Sequence, residues 1–527
     1  MAVPMSSQIP ARNGADVLCD TLLANDVDVC FANPGTSEMH FVSALDRQPR
    51  MRCVLGLFEG VVTGAADGYA RMAGKPAATL LHLGPGLANG LANLHNARRA
   101  GSPIVNIVGD HASYHLAYDS PLTSDIRSVA GSVSAWVRSI DSTAEVSIDA
   151  AEAVGAARDK GGQVVTLILP ANVSWTEATD PTIALTPPAV SQEICSKKIA
   201  EAAAALRRGK ASLLLISGAA LRGNALEIAA RITQATGARL LAQQSNGRME
   251  RGVGRVAIDR VPFSVDLGVA DLAGVEHVVL VGAKAPVAFF AYPNKPSSLL
   301  PEGCKVTPLA APGDDLENAL AALADALRVR ADAPVIVESG RRPDLTEGRL
   351  TATAVMTIIG RYLPEESIVC DESVSSGRDF FALTRGAARH DYLQITGGAI
   401  GMGLPVGVGA AIACPGRKVV CVQADGSAMY TLQALWTQAR ERLDVTTVIL
   451  ANRSYAILHG ELKNVGAGEA GHNARRMLDL DDPALNWVRL AQGMGVDAVS
   501  VASTNELADA LKIAMRQTGP FLIEAVM

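Results

Sequence analysis

The sequence contains few aromatic residues, few charges and no block of like charge. Phe, Trp and Tyr make up 4% of the 527 residues, and Asp, Glu, Lys and Arg make up 19%, with a net charge of −6. Without a basic block, nucleic acid and anionic membranes are poor partners. No apolar run has membrane-spanning length, and the N-terminus lacks the charged-then-apolar pattern of a signal peptide. We therefore expect a soluble, cytoplasmic protein.

The eight cysteines lack a metal-binding or disulfide pattern, because no two of them stand at CxxC spacing. Most lie in apolar, strand-like segments, where cysteine behaves as a small hydrophobic residue. We expect neither a zinc site nor a disulfide framework.

Abundant small and apolar residues instead predict layers of helices and sheets. The chain is 49% hydrophobic and contains 48 glycines, a mixture that suits close packing of helices on a sheet. Its length corresponds to about three domains of roughly 150 residues each. Two linker-like stretches, 176–190 and 330–348, are broken by Pro, Thr or Gly. We predict domains at residues 1–178, 190–332 and 348–527.

The alternation of predicted elements indicates three doubly wound α/β domains with parallel sheets. The predicted strands include PAATLLH, PIVNIVG, ASLLLISG, HVVLVGA, KVVCVQA and TTVILAN, and the predicted helices include ADVLCDTLLANDV, ALEIAARITQATG and TLQALWTQARE. Continuous apolar strands that alternate with helices are typical of parallel sheets covered on both faces. The first and third blocks share one order of elements: a helix of small residues, a basic turn, a buried strand, a glycine-rich loop, a helix and a strand. His82 in the first block has nearly the same place in this order as Asp425 in the third.

Asp425 is a carboxylate at the end of a strand that should be buried. A buried carboxylate must be paired or bind a metal. Asn452 ends the next predicted strand, 27 residues later, and a β-loop-α-β unit of about 30 residues returns the chain in parallel. Carboxylate, amide and main-chain oxygens would converge there, which suits Mg²⁺, and the glycine-containing turn suits phosphate. The alternative is that Asp425 only caps the following helix.

The segment from Asp425 to Asn452 resembles the thiamine diphosphate motif, usually written GDG followed later by NN. Ala424 and Ala451 depart from that motif, but neither position supplies a metal ligand. The order of the three blocks is also similar to the pyrimidine-binding, middle and diphosphate-binding domains of this family, and the chain is most similar to its benzoylformate decarboxylase and acetolactate synthase branch. The resemblance implies a thiamine diphosphate cofactor and Mg²⁺ held by Asp425, Asn452 and the main-chain oxygen of Ser454.

The resemblance also implies roles at the cofactor. The segment GLFEGVVTGAADGYAR places Glu59 at the pyrimidine ring nitrogen, where a carboxyl group passes a proton to the ring. The alternative, a surface helix residue, is disfavoured by its apolar neighbours. In GGAIGMGLP, the main-chain carbonyl of Gly398 would accept the cofactor amine, and Ile400 would bend the cofactor. The further cofactor-binding residues that the resemblance implies are Ser375, Gly426, Ser427 and Tyr455.

His82 is the candidate for proton transfer to the substrate, because benzoylformate decarboxylases have a relay histidine at the matching place. The alternative is a core histidine bonded to the backbone. The second histidine of those enzymes has no counterpart, and Phe289 or Phe290 stands there instead. Ile457 and Leu458 are expected to line the same apolar pocket.

Three functions follow from this resemblance. The first is a 2-oxo acid decarboxylase, similar to benzoylformate decarboxylase, that works through a cofactor ylid and an enamine intermediate. The second is a carboligase or C–C lyase of the acetolactate synthase, benzaldehyde lyase or hydroxyacyl-CoA lyase type, and the third is a catalytically silent cofactor-binding protein. The substrate would be a small 2-oxo acid or aldehyde, and the chain would form a homodimer or homotetramer. We expect no FAD, because the middle block lacks the GMHG-like turn of flavin-binding acetolactate synthases.

Overall fold

The chain is described by a computed structural model that covers residues 12–179, 181–187, 194–345 and 347–527. These residues form three sheets, of six, five and seven strands. The consecutive residues Cys30 and Phe31 of the first strand point to opposite faces of the sheet and belong to different hydrophobic clusters. Both faces of that sheet are therefore covered. The predicted class, three doubly wound α/β units, is confirmed. None of the described helices is long and apolar enough to cross a membrane.

The first sheet is entirely parallel, with the strand order β2-β1-β3-β4-β6-β5. Its strands are β1 (Val29–Asn33), β2 (Arg52–Leu55), β3 (Ala77–His82), β4 (Ile104–Asp110), β5 (Trp136–Ser139) and β6 (Val164–Pro170). Its helices are α1 (Gly14–Ala24), α2 (Met39–Asp46), α3 (Glu59–Ala73), α4 (Leu83–Ala100), α5 (Ile126–Gly131), α6 (Val146–Arg158) and α7 (Ala171–Trp175). The central strands β3 and β4 place His82 beside Gly109 at their carboxyl ends.

The second sheet is also parallel, with the order β10-β8-β7-β11-β12. The strands in this part of the chain are β7 (Ser212–Ile216), β8 (Arg239–Ala242), β9 (Met249–Arg251), β10 (Asp259–Arg260), β11 (His277–Val281) and β12 (Lys305–Ala310). The helices are α8 (Ser196–Leu206), α9 (Gly223–Thr236), α10 (Val265–Leu272) and α11 (Leu316–Leu327).

The third sheet has the order β17-β18-β16-β15-β13-β14-β9. Its own strands are β13 (Ser367–Glu372), β14 (His390–Gln394), β15 (Val419–Ala424), β16 (Val445–Ala451), β17 (Asp497–Val501) and β18 (Phe521–Val526). Its helices are α12 (Ala352–Tyr362), α13 (Phe380–Leu383), α14 (Gly403–Ala413), α15 (Asp425–Ala428), α16 (Ala434–Arg440), α17 (Ala456–Asn464), α18 (His472–Leu478), α19 (Trp487–Gly493) and α20 (Thr504–Ala514).

Strand β9 comes from the second block but pairs antiparallel with β14 at the edge of the third sheet. Buried Arg251 holds it there, because its guanidinium stacks 3.7 Å from the Phe381 ring centroid and donates to Thr384. The domains predicted from the sequence did not include a strand shared between the second and third units. The domain boundaries stay a prediction, and the boundary at residue 190 lies outside the described residues.

Helices α3 and α14 pack against each other and join the first and third units. The contact is backbone to backbone: a Cβ at Gly68 would lie 2.1 Å from the Val406 carbonyl oxygen, and one at Gly409 would lie 1.9 Å from that of Ala65. Only glycine permits this approach. The packing brings the start of α3, at Glu59, close to the loop that precedes α14.

Candidate active site

Asp425 and Asn452 follow neighbouring strands of the third sheet, since Ala424 pairs with Leu450. The Asp425 side chain is nearly buried, with the residue 2% exposed. Its oxygens accept main-chain hydrogen bonds from Gly426 at 2.8 Å and from Arg453 at 2.6 Å. Asp425 is the first residue of the short α15, and the helix predicted over 431–441 is observed as α16, which begins at residue 434.

Asn452 and Ser454 complete the predicted metal-binding set. Asn452 Oδ1 accepts a hydrogen bond from the Ser454 amide at 3.0 Å, and its Nδ2 donates to Ser376 Oγ at 3.3 Å. The structure therefore brings the segments of Asp425, Asn452 and Ser454 together at the carboxyl ends of β15 and β16.

The donor chemistry of this edge fits a hard divalent cation. Burial raises the pKa of the Asp425 carboxyl, and the Arg453 and Gly426 amides oppose that shift. Among the described residues no Lys or Arg side chain forms an ion pair with this carboxylate, although the charge of Arg453 also lowers its pKa. The described residues also hold no cluster of three or more His, Cys, Asp or Glu side chains suited to a metal. A site here would rely on one carboxylate with amide and main-chain oxygens, which is the ligand type that Mg²⁺ prefers.

Glu372, which the sequence analysis missed, holds the loop before α14. This buried carboxylate accepts from the backbone amides of Gly401 at 2.5 Å and Gly403 at 2.7 Å, and from Gln423 Nε2 at 2.7 Å. Burial raises its pKa despite these donors. It fixes the segment that carries Gly398 and Ile400. Its position in the sequence could have identified it, because Glu372 is the last residue of a buried strand and Asp425 directly follows one.

The other residues expected at the diphosphate lie around the same strand edge. The Tyr455 ring covers Gly426, where a Cβ would lie 2.5 Å from Cε1, and Ser427 Oγ is 2.8 Å from Gln423 Nε2. Ser375 makes no side-chain hydrogen bond to the described residues, whereas the adjacent Ser376 contacts Asn452. The sequence analysis did not single out Ser376.

Glu59 is the first residue of α3 and is 8% exposed. Its carboxylate accepts a hydrogen bond from Asn89 Nδ2 at 3.0 Å. Asn93 Nδ2 lies 2.8 Å from the Gly60 carbonyl oxygen and 3.2 Å from that of Gly401, and so links the Glu59 helix to the loop before α14. The sequence analysis missed both asparagines. With Asn96 they have i, i+4, i+7 spacing, which places all three on one face of α4.

His82 lies on the same wall as Glu59. A Cβ at Gly86 would lie 3.4 Å from both Glu59 Oε1 and His82 Cβ. His82 is not bonded to the backbone as a core histidine would be. Its Nδ1 instead lies 2.8 Å from Glu38 Oε2, and its side chain is 23% exposed. Glu38, the last residue of the segment NPGTSE, was not among the residues predicted from the sequence.

The structure distinguishes between the two phenylalanines expected at the pocket. The Phe289 ring lies against Gly398, where a Cβ would be 2.6 Å from Cζ. Phe290 packs on Phe289 with a centroid distance of 4.9 Å and is 56% exposed. Leu458 is also largely exposed, at 43%, and Ile457 is half-buried. Phe289 is therefore the aromatic side chain that covers the candidate cofactor loop.

Two family models match the segments of the chain that carry Glu59 and His82 on one side of the site and Asp425 and Asn452 on the other. Residues 12–129 match "Thiamine pyrophosphate enzyme, N-terminal TPP binding domain", and residues 379–525 match the corresponding C-terminal TPP binding domain. A Mycobacterium tuberculosis protein named "Putative acetolactate synthase large subunit IlvX" is 52% identical, over 98% of this chain and 99% of that protein. The chain belongs to the thiamine pyrophosphate enzyme family. The predicted resemblance is confirmed, and with it the expectation of an enzyme that uses thiamine diphosphate, the same compound as thiamine pyrophosphate.

More distant matches of this thiamine pyrophosphate enzyme include decarboxylases. Benzoylformate decarboxylase of Pseudomonas aeruginosa is 28% identical over 96% of this chain and 97% of its own length. The solved structure of a thiamine diphosphate-dependent 4-hydroxybenzoylformate decarboxylase from Rhodococcus jostii RHA1 superposes with a TM-score of 0.83. It is 23% identical and covers 98% of this chain and 99% of that one, which shows the shared fold. The roles of individual site residues remain predictions.

Proposed function

We propose that this thiamine pyrophosphate enzyme is a Mg²⁺-dependent 2-oxo acid decarboxylase, similar to benzoylformate decarboxylase, for substrates with an apolar acyl group. One observation carries the proposal. His82 is held by Glu38 on the wall it shares with Glu59. An imidazole placed there supplies the proton that a simple decarboxylation needs at the former carbonyl carbon.

Cofactor and metal binding are assigned to the third unit. Asp425, Asn452 and the main-chain oxygen of Ser454 would hold Mg²⁺, which would bridge to the diphosphate. Gly426, Ser427 and Tyr455, with Ser375 or its neighbour Ser376, would surround the diphosphate. When bound, thiamine diphosphate supplies a nucleophilic carbon that adds to the substrate carbonyl and accepts the electron pair released with CO2.

The remaining steps are proton transfers and binding by residues of the chain. Glu59 would hold a proton on the pyrimidine nitrogen, with Asn89 Nδ2 orienting its carboxyl group from 3.0 Å. The Gly398 carbonyl would accept the cofactor amine, and Ile400 would support its bent shape. Phe289 would exclude water beside Gly398. An apolar wall disfavours the substrate carboxylate more than the neutral product, which promotes loss of CO2.

An acetolactate synthase-like carboligase is the second candidate, and the name of the M. tuberculosis relative favours it. The two activities share the cofactor and the release of CO2 and differ in what the acyl-derived carbon receives, a proton or a second 2-oxo acid. A protonating histidine favours the first outcome. In the second, we expect pyruvate to be the preferred substrate.

The proposal includes a homodimer or a dimer of dimers. In the family that the chain resembles, the pyrimidine-binding and diphosphate-binding domains that share one cofactor come from different chains. Leu57, two residues before Glu59, is 46% exposed, and a second subunit would cover it. Sedimentation at assay concentration tests this, and a fully active monomer would contradict it.

The decisive experiment is product identification with a panel of 2-oxo acids in the presence of thiamine diphosphate and Mg²⁺. We expect benzoylformate to yield benzaldehyde and CO2, and the Glu59→Gln variant to serve as the inactive control. Acetolactate from pyruvate would instead establish the carboligase. Stoichiometric flavin in the purified protein would contradict the expected absence of FAD.

A further inference from the structure

A buried carboxylate, Glu38, lies directly behind His82. Glu38 ends a 3-10 turn, Thr36–Glu38, and its side chain is 0% exposed. Its Oε2 lies 2.8 Å from His82 Nδ1 and accepts the Gly35 amide at 2.7 Å. The Gly35 amide and His82 Nδ1 therefore approach the same carboxylate oxygen.

Two glycines confine this pair. A Cβ at Gly109 would lie 1.8 Å from Glu38 Oε1, and a Cβ at Gly35 would lie 2.3 Å from His82 Nδ1. The main chain of β4 therefore presses on the carboxylate, and the Gly35 segment presses on the imidazole ring. Each group therefore has a main-chain segment against one of its sides.

The buried carboxylate of Glu38 has few hydrogen-bond partners. Glu38 Oε1 has no hydrogen-bond partner among the described residues. Burial raises the pKa of Glu38, and His82 and the Gly35 amide oppose that shift. A buried carboxylate with one free oxygen depends on its remaining donors. Besides the Gly35 amide, the side-chain group within hydrogen-bond distance of this carboxylate is His82 Nδ1, which donates when it carries the ring proton.

We infer that Glu38 is a positioning residue that keeps the His82 proton on Nδ1 and so leaves Nε2 as the nitrogen that exchanges protons with the pocket. The location of the proton on Nδ1 rests on the geometry of the pair alone. The use of Nε2 in turnover rests on the proposed function.

The proton balance explains why the pair suits this task. With Glu38 ionised and His82 neutral, the pair carries one negative charge, and a proton taken up at Nε2 makes it neutral. In the proposed step, the Nε2–H bond breaks, a C–H bond forms at the acyl-derived carbon, and the pair returns to its negative state. Water reaches the part-exposed His82 and restores the proton.

The first test does not require activity. Solid-state ¹⁵N NMR of histidine-labelled protein, with His82 assigned by difference from a His82→Gln variant, reports which nitrogen carries the proton. At mildly alkaline pH we expect Nδ1 protonated and Nε2 bare, and Glu38→Leu, which removes the acceptor oxygen, should shift His82 towards the opposite tautomer. A wild-type His82 protonated at Nε2 alone would overturn the inference.

The second test is a double-mutant cycle on a 2-oxo acid that the enzyme turns over. Glu38→Gln should lower kcat by roughly 10- to 100-fold with His82 present, but by less than about twofold in a His82→Ala background. Equal losses in both backgrounds would show that Glu38 does not act through His82. Ser37→Ala is the matched control, because Ser37 lies in the same turn and makes no side-chain hydrogen bond to the described residues.

The outcomes separate this inference from the proposed function. If no 2-oxo acid is turned over but His82 is protonated at Nδ1, the decarboxylase proposal fails and the positioning of His82 stands. If turnover is observed with the opposite tautomer, the decarboxylase proposal survives and the role of Glu38 fails.

Discussion

The carboxyl ends of β3 and β15 have the same construction but hold their polar groups differently. At each, a buried carboxylate lies at the last residues of the strand. Glu38, 1% exposed, contacts His82 at the end of β3, and Asp425, 2% exposed, directly follows β15. Burial raises the pKa of both. Glu38 is paired with an imidazole, whereas Asp425 accepts hydrogen bonds from backbone amides.

This difference suits the carboxyl end of β3 to proton exchange and the carboxyl end of β15 to cation binding. An imidazole partner can gain and lose a proton near neutral pH. Fixed amides cannot, so the negative charge of Asp425 stays available to an added cation. Variants of the two edges should therefore fail in different measurements, and the following predictions test this from the largest expected effect to the smallest.

Asp425→Ala should have the largest effect, because it removes the one carboxylate of the candidate Mg²⁺ site. We expect cofactor retention to weaken by more than about 100-fold, since even residues that only orient metal ligands contribute 10- to 100-fold. Calorimetric titration of thiamine diphosphate with Mg²⁺ measures this. His82→Ala is the control from the other edge and should bind normally, and unchanged retention in Asp425→Ala would remove the cation-binding assignment.

Glu59→Gln should bind the cofactor but lose turnover by roughly 10³-fold, within the range for a general acid–base group. The amide keeps the shape and the Asn89 contact but cannot transfer the proton. Hydrogen–deuterium exchange at the thiazolium carbon, followed by quenched-flow NMR, should slow in parallel. A turnover rate within about threefold of the wild type, less than 1 kcal/mol in the barrier, would exclude Glu59 as the activating group.

His82→Ala should slow turnover of a 2-oxo acid by roughly 10²-fold while leaving that thiazolium exchange nearly normal. The expected separation arises because His82 acts on the substrate-derived carbon and Glu59 acts on the cofactor. Measuring both quantities on the same preparation makes the comparison direct. If exchange and turnover fall together, His82 supports the cofactor or the fold instead.

Phe289→Ala should have the smallest effect, a roughly 10-fold fall in kcat/KM for benzoylformate relative to pyruvate, because hydrophobic pocket contacts discriminate weakly. Phe290→Ala is the matched control, since Phe290 packs on Phe289 and is more exposed. Steady-state kinetics with both substrates measure the ratio. An unchanged ratio would mean that the Phe289 wall does not contact the acyl group.

Strong local patterns made the fold predictable. Apolar strands such as Val419–Ala424 and Val445–Ala451 are buried along most of their length, and the sequence shows this directly. Strand β9 escaped prediction because Met249–Arg251 is short and its place depends on Arg251 stacking on Phe381, which is 130 residues away.

The candidate site was partly predictable for a similar reason. Asp425 and Asn452 end consecutive strands of one β-α-β unit, so their proximity follows from chain order. Glu372 could have been found by the same reasoning, and Asn89 and Asn93 by helical spacing. Glu38 was harder to find, since its partner His82 is 44 residues away and nothing local to NPGTSE marks a buried carboxylate.

The sequence by itself determined the α/β class, the strands that end in Asp425 and His82, and the family resemblance, because these depend on local periodicity and on residues close in the chain. Only the tertiary structure decided which groups face one another. It paired Glu38 with His82, placed Phe289 rather than Phe290 on Gly398, and used Asn93 to join Gly60 to Gly401. Such contacts join segments that are distant in the chain, and their geometry is set by the packing of whole helices and sheets, which no local pattern encodes.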